Sequence, residues 1–380
     1  MSEHLVNVES IRSYFESLSD PRRERGRKHL LGDVIVIAVC GILCGADGPT
    51  AIPRWALNRC DWLRGVLALP NGLPSRDGIR RVLIALQPAA FQKCFQAWTT
   101  ATFPMIDTKR KRLIAVDGKT CCNSHDAKQG LGALPIVSAW ATAEGIALGQ
   151  VATAEKSNEI TAIPELLQSI DLKDSIVTID AVGCQKQIAA TIVAGQGDFV
   201  IAVKDHPPKL REALADAFHK QIDQDLEDLR YSIHTTLDES HGRIDERAYF
   251  VRKIPIDFCT RKEWPWVKAI GYSVRISQPA NGTETIETRF YILNRRLSCK
   301  RFSEAVRGHW GIESRHWVLD VNFREDDSRT RERTLGNNLS WLRRFAVTRL
   351  KRHPIKDSQR GQMSRCLMNP DFLTEVLTGS

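Results

Sequence analysis

Apolar positions near the start of the chain recur with a helical period. Ile11, Tyr14, Phe15 and Leu18 fall at i, i+3, i+4 and i+7, which puts them on one helix face. Leu30 to Cys44 is a nearly continuous apolar run interrupted by Asp33. It falls short of the roughly 18 to 20 residues a membrane-spanning helix needs, so it predicts a buried helix instead. Ser75 is placed as an N-cap before "RDGIRRVLIAL", and residues 9 to 98 read as an all-helical unit. From Lys111 the pattern changes to short β-branched runs bounded by turn residues: "RLIAVDG", "LPIVSAWAT", "IALGQVAT", "SIVTIDAVG" and "DFVIAVKD". A helical stretch, "QKQIAATIVAG", lies between the last two and ends at Gly195 as a C-cap. Three strands, then strand, helix, strand, predict a mixed sheet covered by helices. Hairpin-like alternation fills residues 228 to 294, and from Phe302 a strong helical pattern returns as "FSEAVRGHWGIESRHWVLDVNF". The β-rich stretch therefore reads as an insertion that delays this helix.

At 380 residues the chain can bury a sizeable core in two or three structural units, since one core stops growing near roughly 250 to 300 residues. Its formal net charge is +9, and the surplus is local: Arg289 to Arg352 holds sixteen Lys and Arg against seven Asp and Glu. A localised positive field implies a polyanionic partner, nucleic acid or an anionic membrane surface. The basic stretch "DPRRERGRKH" and the helix start carrying Arg76, Arg80 and Arg81 could add phosphate contacts near the N-terminus. No secretory signal is visible. Ten cysteines without a C-x-x-C form neither a zinc nor a disulfide framework. The expectation is a reduced, cytoplasmic protein.

Two acids sit at the ends of apolar strands, Asp117 in "IAVDGK" and Asp180 in "VTIDAVGCQ". One such Asp beside a Gly is often a turn residue; two in one sheet call for a further reason. On the late helix, His309, Glu313, His316 and Asp320 follow spacings of four, three and four and so share a face. Val306, Trp310, Trp317 and Val321 form the adjoining apolar stripe, expected in the core. A buried glutamate needs a cation. Two strand-end aspartates and a helix-borne glutamate can hold two Mg²⁺ ions about 4 Å apart, with Mn²⁺ able to substitute, for in-line phosphoryl displacement. Glu313, Asp320, Glu325 and Asp326 compete for the third position.

The motifs "IAVDGKT", "EKSNEITAIPELL", "TIDAVGCQ", "RGHWGIESRHWVLDVNFREDDSR" and "NNLSWLRRFAVTRLKR" resemble, in order and spacing, the DDE transposases of bacterial insertion sequences. Among these they are most similar to the ISAs-type group that includes the H-repeat-associated proteins. The resemblance covers almost the whole chain, including "LPNGLPSRDGIRRVL". It implies an α/β protein with a ribonuclease H-like mixed-sheet catalytic core, a β-rich insertion and an all-helical N-terminal domain. The expected boundaries are 1–105 for a helical domain that binds DNA ends, 106–227 for the first part of the core and 228–298 for the insertion. The catalytic helix and basic C-terminal part then take 299–353, and a tail 354–380.

The resemblance also places the catalytic and metal-binding triad on Asp117, Asp180 and Glu313, the last being the glutamate of H-W-x-I-E. The DNA contacts are expected from Arg76, Arg80 and Arg81, from Lys119, Lys204, Arg307, His309 and His316, and from Arg329, Arg331, Arg343 and Arg344. The partner is double-stranded DNA, the element ends and the target, bound by a homodimer with no membrane involved. Departures from the family pattern are Cys122, "VKDHPP" with His206 and Pro207, and Ser314. The function expected is Mg²⁺-dependent cleavage and strand transfer at element ends. Beside it stand a nuclease without strand transfer and a DNA-binding relic without activity. A tyrosine recombinase is disfavoured, because the last tyrosine is Tyr291 and no histidine has Arg at the third following position.

Overall fold

The computed structural model describes residues 11–103, 110–153, 159–204, 208–224, 233–240, 243–255, 258, 262–279 and 282–379. His206, Pro207 and the start of the "EKSNEITAIPELL" motif lie outside them. Helices α1 (Leu31–Leu43), α2 (Ala51–Asn58), α3 (Cys60–Val66), α4 (Arg76–Ala85) and α5 (Pro88–Thr102) come first. Strands β1 (Arg112–Cys121), β2 (Leu134–Ala141) and β3 (Ile146–Ala152) lead to α6 (Glu159–Gln168), β4 (Ser175–Ile179), α7 (Lys186–Ala194), β5 (Asp198–Val203) and α8 (Pro208–Gln224). Then come β6 (Ile233–Ser240), β7 (Arg243–Lys253), β8 (Ala269–Pro279) and β9 (Thr285–Leu293). The chain closes with α9 (Cys299–His309), α10 (Gly311–Val321), α11 (Arg333–Arg352), α12 (Gln359–Met368) and α13 (Pro370–Thr378). None of the described helices is long and apolar enough to cross a membrane.

The strands form one mixed sheet in the order β3-β2-β1-β4-β5-β9-β8-β7-β6. β1, β4 and β5 run parallel, as strands joined through crossover helices must. The β-rich stretch is not a separate body: β9 pairs with β5, so β6 to β9 extend the same sheet.

Side chains alternate between the two faces of a strand, and the clusters follow that rule. Ile114 and Val116 join Ile163 and Leu166 of α6, Ile188 of α7 and Leu214 of α8 on one face. Leu113, Ile176, Val200, Tyr249 and Tyr291 meet Phe302, Ala305 and Val306 of α9 on the other. This second face carries the candidate site.

A further apolar cluster joins both ends of the chain. Residues of α1 to α5 pack in it with Ile312, Val318 and Leu319 of α10, with α11, and with Cys366 and Phe372 to Leu377 of α12 and α13. Phe345 of α11 sits 4.6 Å from Phe95 and 4.7 Å from Trp98, centroid to centroid. The helical N-terminal segment is therefore closed by C-terminal helices. Within α1 the buried Asp33 is satisfied by Arg12 Nη2 at 2.6 Å and the Leu69 amide at 3.0 Å. Ser75 caps α4 as its position predicts, accepting from the Gly78 amide at 3.2 Å. Gly195 does end α7, but with φ −78°. The left-handed residue is Gln196, and Gly195 is needed because a Cβ there would lie 2.9 Å from Leu172 Cδ1.

Two expectations about the late helix are corrected. The single helix is two, α9 and α10, meeting at Trp310 between Gly308 and Gly311. Both glycines weaken helix continuity, and at Gly308 a Cβ would press on Leu113 and Thr142 at 3.3 Å. The expected core stripe is also wrong in part: Val306 is buried, whereas Trp310, Trp317 and Val321 are 42%, 61% and 52% exposed. Ile312, Val318 and Leu319 do the packing instead.

Candidate active site

The parallel register of β1 and β4 pairs Val116 with Ile179, so the next residues, Asp117 and Asp180, stand side by side where both strands end their pairing. By alternation both belong to the sheet face that α9 and α10 cover. Glu313 lies in the first turn of α10. Burial, then the like charge of Asp180, Glu159 and Glu313, push the Asp117 carboxyl up to about 7, against one opposing hydrogen bond from the Gly118 amide. Glu313 is exposed, against the expectation of a buried glutamate; partial desolvation raises its carboxyl and the charge of Arg289 opposes that rise. None of Asp117, Asp180 and Glu313 has a Lys or Arg in ion-pair contact among the described residues.

Glu159 was absent from the sequence-derived set. It opens α6 and presses on the β1 strand at Gly118, where a Cβ would come 2.7 Å from its carboxyl carbon. Only the position of its motif beside the family's aspartates could have drawn attention to it. The histidines expected to contact DNA face inward. His309 Nδ1 is 3.1 Å from Thr178 Oγ1, and His316 Nδ1 is 3.7 Å from Asp117 Oδ2. Burial lowers the pKa of His309; burial and then Arg344 push His316 down to about 3, so both imidazoles are neutral. They are neighbours of the carboxylates, not cations offered to phosphate.

Three more expected DNA contacts belong to the interior. Lys119, on the same strand face as Asp117, is buried and pairs with Asp320 at 2.7 Å and Asp326 at 2.6 Å. Arg344 is 0% exposed; its Nη1 donates to Glu325 Oε1 at 2.9 Å and also to Ser340 Oγ. Arg343 is buried and donates to the Asp47 carbonyl at 2.8 Å. Glu325 in turn is fully buried. Burial alone would raise its carboxyl, but Arg344, Arg343 and Lys119 outweigh that and hold it low. Glu325, Asp326 and Asp320 are thus engaged by protein cations, which separates them from Glu313.

The remaining expected contacts are on the surface. Arg76, Arg80, Arg81, Lys204, Arg307, Arg329 and Arg331 are exposed. Arg307 pairs with Asp238 at 3.0 Å. Sequence reading missed a further basic group. Arg243, Arg247, Arg275 and Arg289 project from the same face of β7, β8 and β9 that holds Tyr249 and Tyr291. They line a cleft of about 430 Å³ with Arg307 and Trp310, and Gly311 and Ser314 at the start of α10 complete its wall. Arg289 stacks over Trp310 at 4.9 Å, and its charge opposes the rise in the Glu313 pKa. The signal was present as Arg243 and Arg247, four residues apart and so on one strand face, in "RIDERAYFVRK".

A divalent cation is the group such a site would take. The donors are hard oxygens, their charges repel, and cations are the partners that relieve such repulsion. That chemistry fits. No three Asp, Glu, His or Cys groups among the described residues are arranged to hold an ion as they stand.

The family described as "Transposase DDE domain" matches residues 106–348, and the one described as "DDE_Tnp_1-associated" matches residues 12–99. "Putative transposase YncI" of Escherichia coli O157:H7 is 35% identical over 98% of this chain and 95% of its own length. "H repeat-associated putative transposase YhhI" of Escherichia coli strain K12 is 33% identical over 99% of each. A protein of Xanthobacter autotrophicus, "Uncharacterized protein in dhlA 3'region", is 34% identical over 73% of this chain and 92% of its own length. With a family match across most of its length and relatives similar from end to end, this chain belongs to the DDE transposase family.

Proposed function

We propose that the chain cuts DNA at the ends of an insertion element and joins the freed ends to a target, using Asp117, Asp180 and Glu313 as its metal-holding carboxylates. The observation that carries this reading is the adjacency of Asp117 and Asp180 at the ends of β1 and β4, with Asp117 raised by burial, by Asp180 and by Glu313, beside an arginine-lined cleft on the same sheet face. The order β3-β2-β1-β4-β5, with β1, β4 and β5 parallel, supports a ribonuclease H-like core.

Asp117 and Asp180 would hold Mg²⁺, or Mn²⁺ in its place, from adjacent strands, and Glu313 from α10. When bound, such ions lower the pKa of an attacking water or 3′-hydroxyl and stabilise the charge of the phosphoryl group under in-line attack. The protein supplies the positioning. Lys119 ties β1 to Asp320 of α10, so the strand and the helix that carry the carboxylates move together. Arg289 and its neighbours in the cleft, which pair with Glu287, Asp245 and Asp238, would exchange those pairs for the phosphodiester chain, and Trp310 gives Arg289 a fixed plane to rest on. His309 and His316, both neutral, add no positive charge that would compete for the carboxylates.

The test uses a labelled duplex carrying the element end, incubated with Mg²⁺. Asp117→Asn, Asp180→Asn and Glu313→Gln should each abolish cleavage and leave duplex affinity within about twofold, since affinity rests on phosphate contacts elsewhere. Normal cleavage by Glu313→Gln sinks the assignment. Addition of an unlabelled target duplex shows whether cut ends are joined or only released.

A further inference from the structure

Arg76 and Arg80 on α4, and Arg329 and Arg331 on the segment between α10 and α11, are far apart in sequence yet line a single cleft of about 490 Å³. We propose that this cleft is a duplex-DNA backbone site, in which the N-terminal helices and the segment after α10 grip the same short run of phosphates. The proposal rests on the transposase reading and changes what it says about architecture. End binding and catalysis would not use two independent DNA surfaces, because one surface is built jointly by both parts of the chain.

Charge is the first support. The cleft holds four guanidiniums and two carboxylates, Asp77 and Glu332. Glu332 already has partners, its oxygens accepting from the Thr334 and Leu335 amides to cap α11 at 3.1 and 2.6 Å. Asp77 makes an exposed pair with Arg76 at 3.3 Å, a contact of little energy in water. Arg80, Arg329 and Arg331 have no carboxylate partner among the described residues.

Pre-organisation is the second. The segment bearing Arg329 and Arg331 is fastened from behind. Asp326 is held by Lys119 at 2.6 Å, and its carbonyl accepts from Asn123 Nδ2 at 2.8 Å. Glu325 is held by Arg344, and the Ser328 amide donates to the Glu325 carbonyl at 3.2 Å. The acids of "REDDSRTR" thus face protein cations while its later arginines are exposed, so little order remains to be imposed on binding. The same exposure argues for a polyanion. Solvated guanidiniums gain little from one small anion, whereas a duplex backbone engages several at once and releases counterions at each contact.

The experiment compares wild type, Arg76→Ala/Arg80→Ala and Arg329→Ala/Arg331→Ala by fluorescence anisotropy, on mixed-sequence 10-bp and 30-bp duplexes across a salt series. All four residues are exposed, so the variants should melt like wild type. Wild type should bind one 10-bp duplex per chain. Each double variant should lose about tenfold in affinity for it, with the slope of log affinity against log salt reduced by about 1 to 2, at about 0.9 per phosphate contact. Unchanged affinity and slope in either variant overturns the shared grip. A wild-type chain that binds the 30-bp duplex but not the 10-bp one also overturns it, leaving the transposase reading in place. Binding to neither duplex sinks both.

Discussion

Lys119 stands two residues from Asp117 on one strand face, yet its charge is neutralised within the protein by Asp320 and Asp326. A sequence shows that a lysine is charged but not which way it points, and these partners lie some two hundred positions away. Replacing it by Met strands two half-exposed carboxylates and should cost about 1 to 3 kcal/mol in a urea melt. The triple variant Lys119→Met/Asp320→Asn/Asp326→Asn should recover that stability while cleavage stays low, because the tie between β1 and α10 is still missing. Full recovery of cleavage would reduce Lys119 to a charge balance. Arg344 repeats the lesson with Glu325, nineteen residues earlier and so invisible to a search for nearby acids. Arg344→Met should cost about 3 to 5 kcal/mol, since it leaves a fully buried carboxylate alone. In the folded protein the Glu325 carboxyl is held below its ordinary value. Its contribution is therefore complete above an unfolded pKa of about 4.3 and is lost as pH falls through the folded value. The melting temperature of wild type should drop below about pH 4.3 more steeply than that of Glu325→Gln; parallel curves would assign acid lability elsewhere.

Among the elements, those with a clean period were legible. The alternation in β7 to β9, the apolar run of α1 and the N-cap at Ser75 all appear where the pattern put them. The stripe through Trp310, Trp317 and Val321 was legible as a shared face but not as a surface, because periodicity says which side chains lie together and not what covers them. Likewise Asp117 and Asp180 could be seen as strand ends, whereas their adjacency depends on a parallel register that no local pattern encodes. How α9 rests on the sheet is equally non-local. Gly271 of β8 lies beneath Phe302, and a Cβ there would fall 2.6 Å from the ring. Gly271→Ala should therefore lift α9 and cost about 1 to 3 kcal/mol by overpacking. Because α10 follows directly, cleavage should fall further than duplex affinity. A variant with wild-type urea midpoint and wild-type cleavage would show that this contact does not set the position of α10.

At the scale of the molecule, α1 packs against α2 and α4 from its own half and against α11, α12 and α13 from the other end. A fragment of residues 1 to 105 would expose Phe95, Trp98 and most of α1, which α11 to α13 cover in the whole chain. It should show no cooperative thermal transition by circular dichroism; a sharp transition would mean that the N-terminal helices close a core unaided. The order of helical and strand segments along the sequence was legible, but this closure was not, because an apolar face does not name its partner. Arg349 fixes the last of these contacts, donating to the carbonyls of Val376 and Leu377 while stacking on Phe103 at 4.7 Å. The order of synthesis gives that closure a cost in time. At about 5 to 20 residues per second, the roughly 330 residues between α1 and α13 take on the order of 15 to 70 s to emerge from a ribosome. Throughout that interval a helix apolar on nearly every side waits without its cover, exposed to other nascent chains and to chaperones that hold such segments. How that wait is bridged is a demand on the cell separate from the stability of the finished fold.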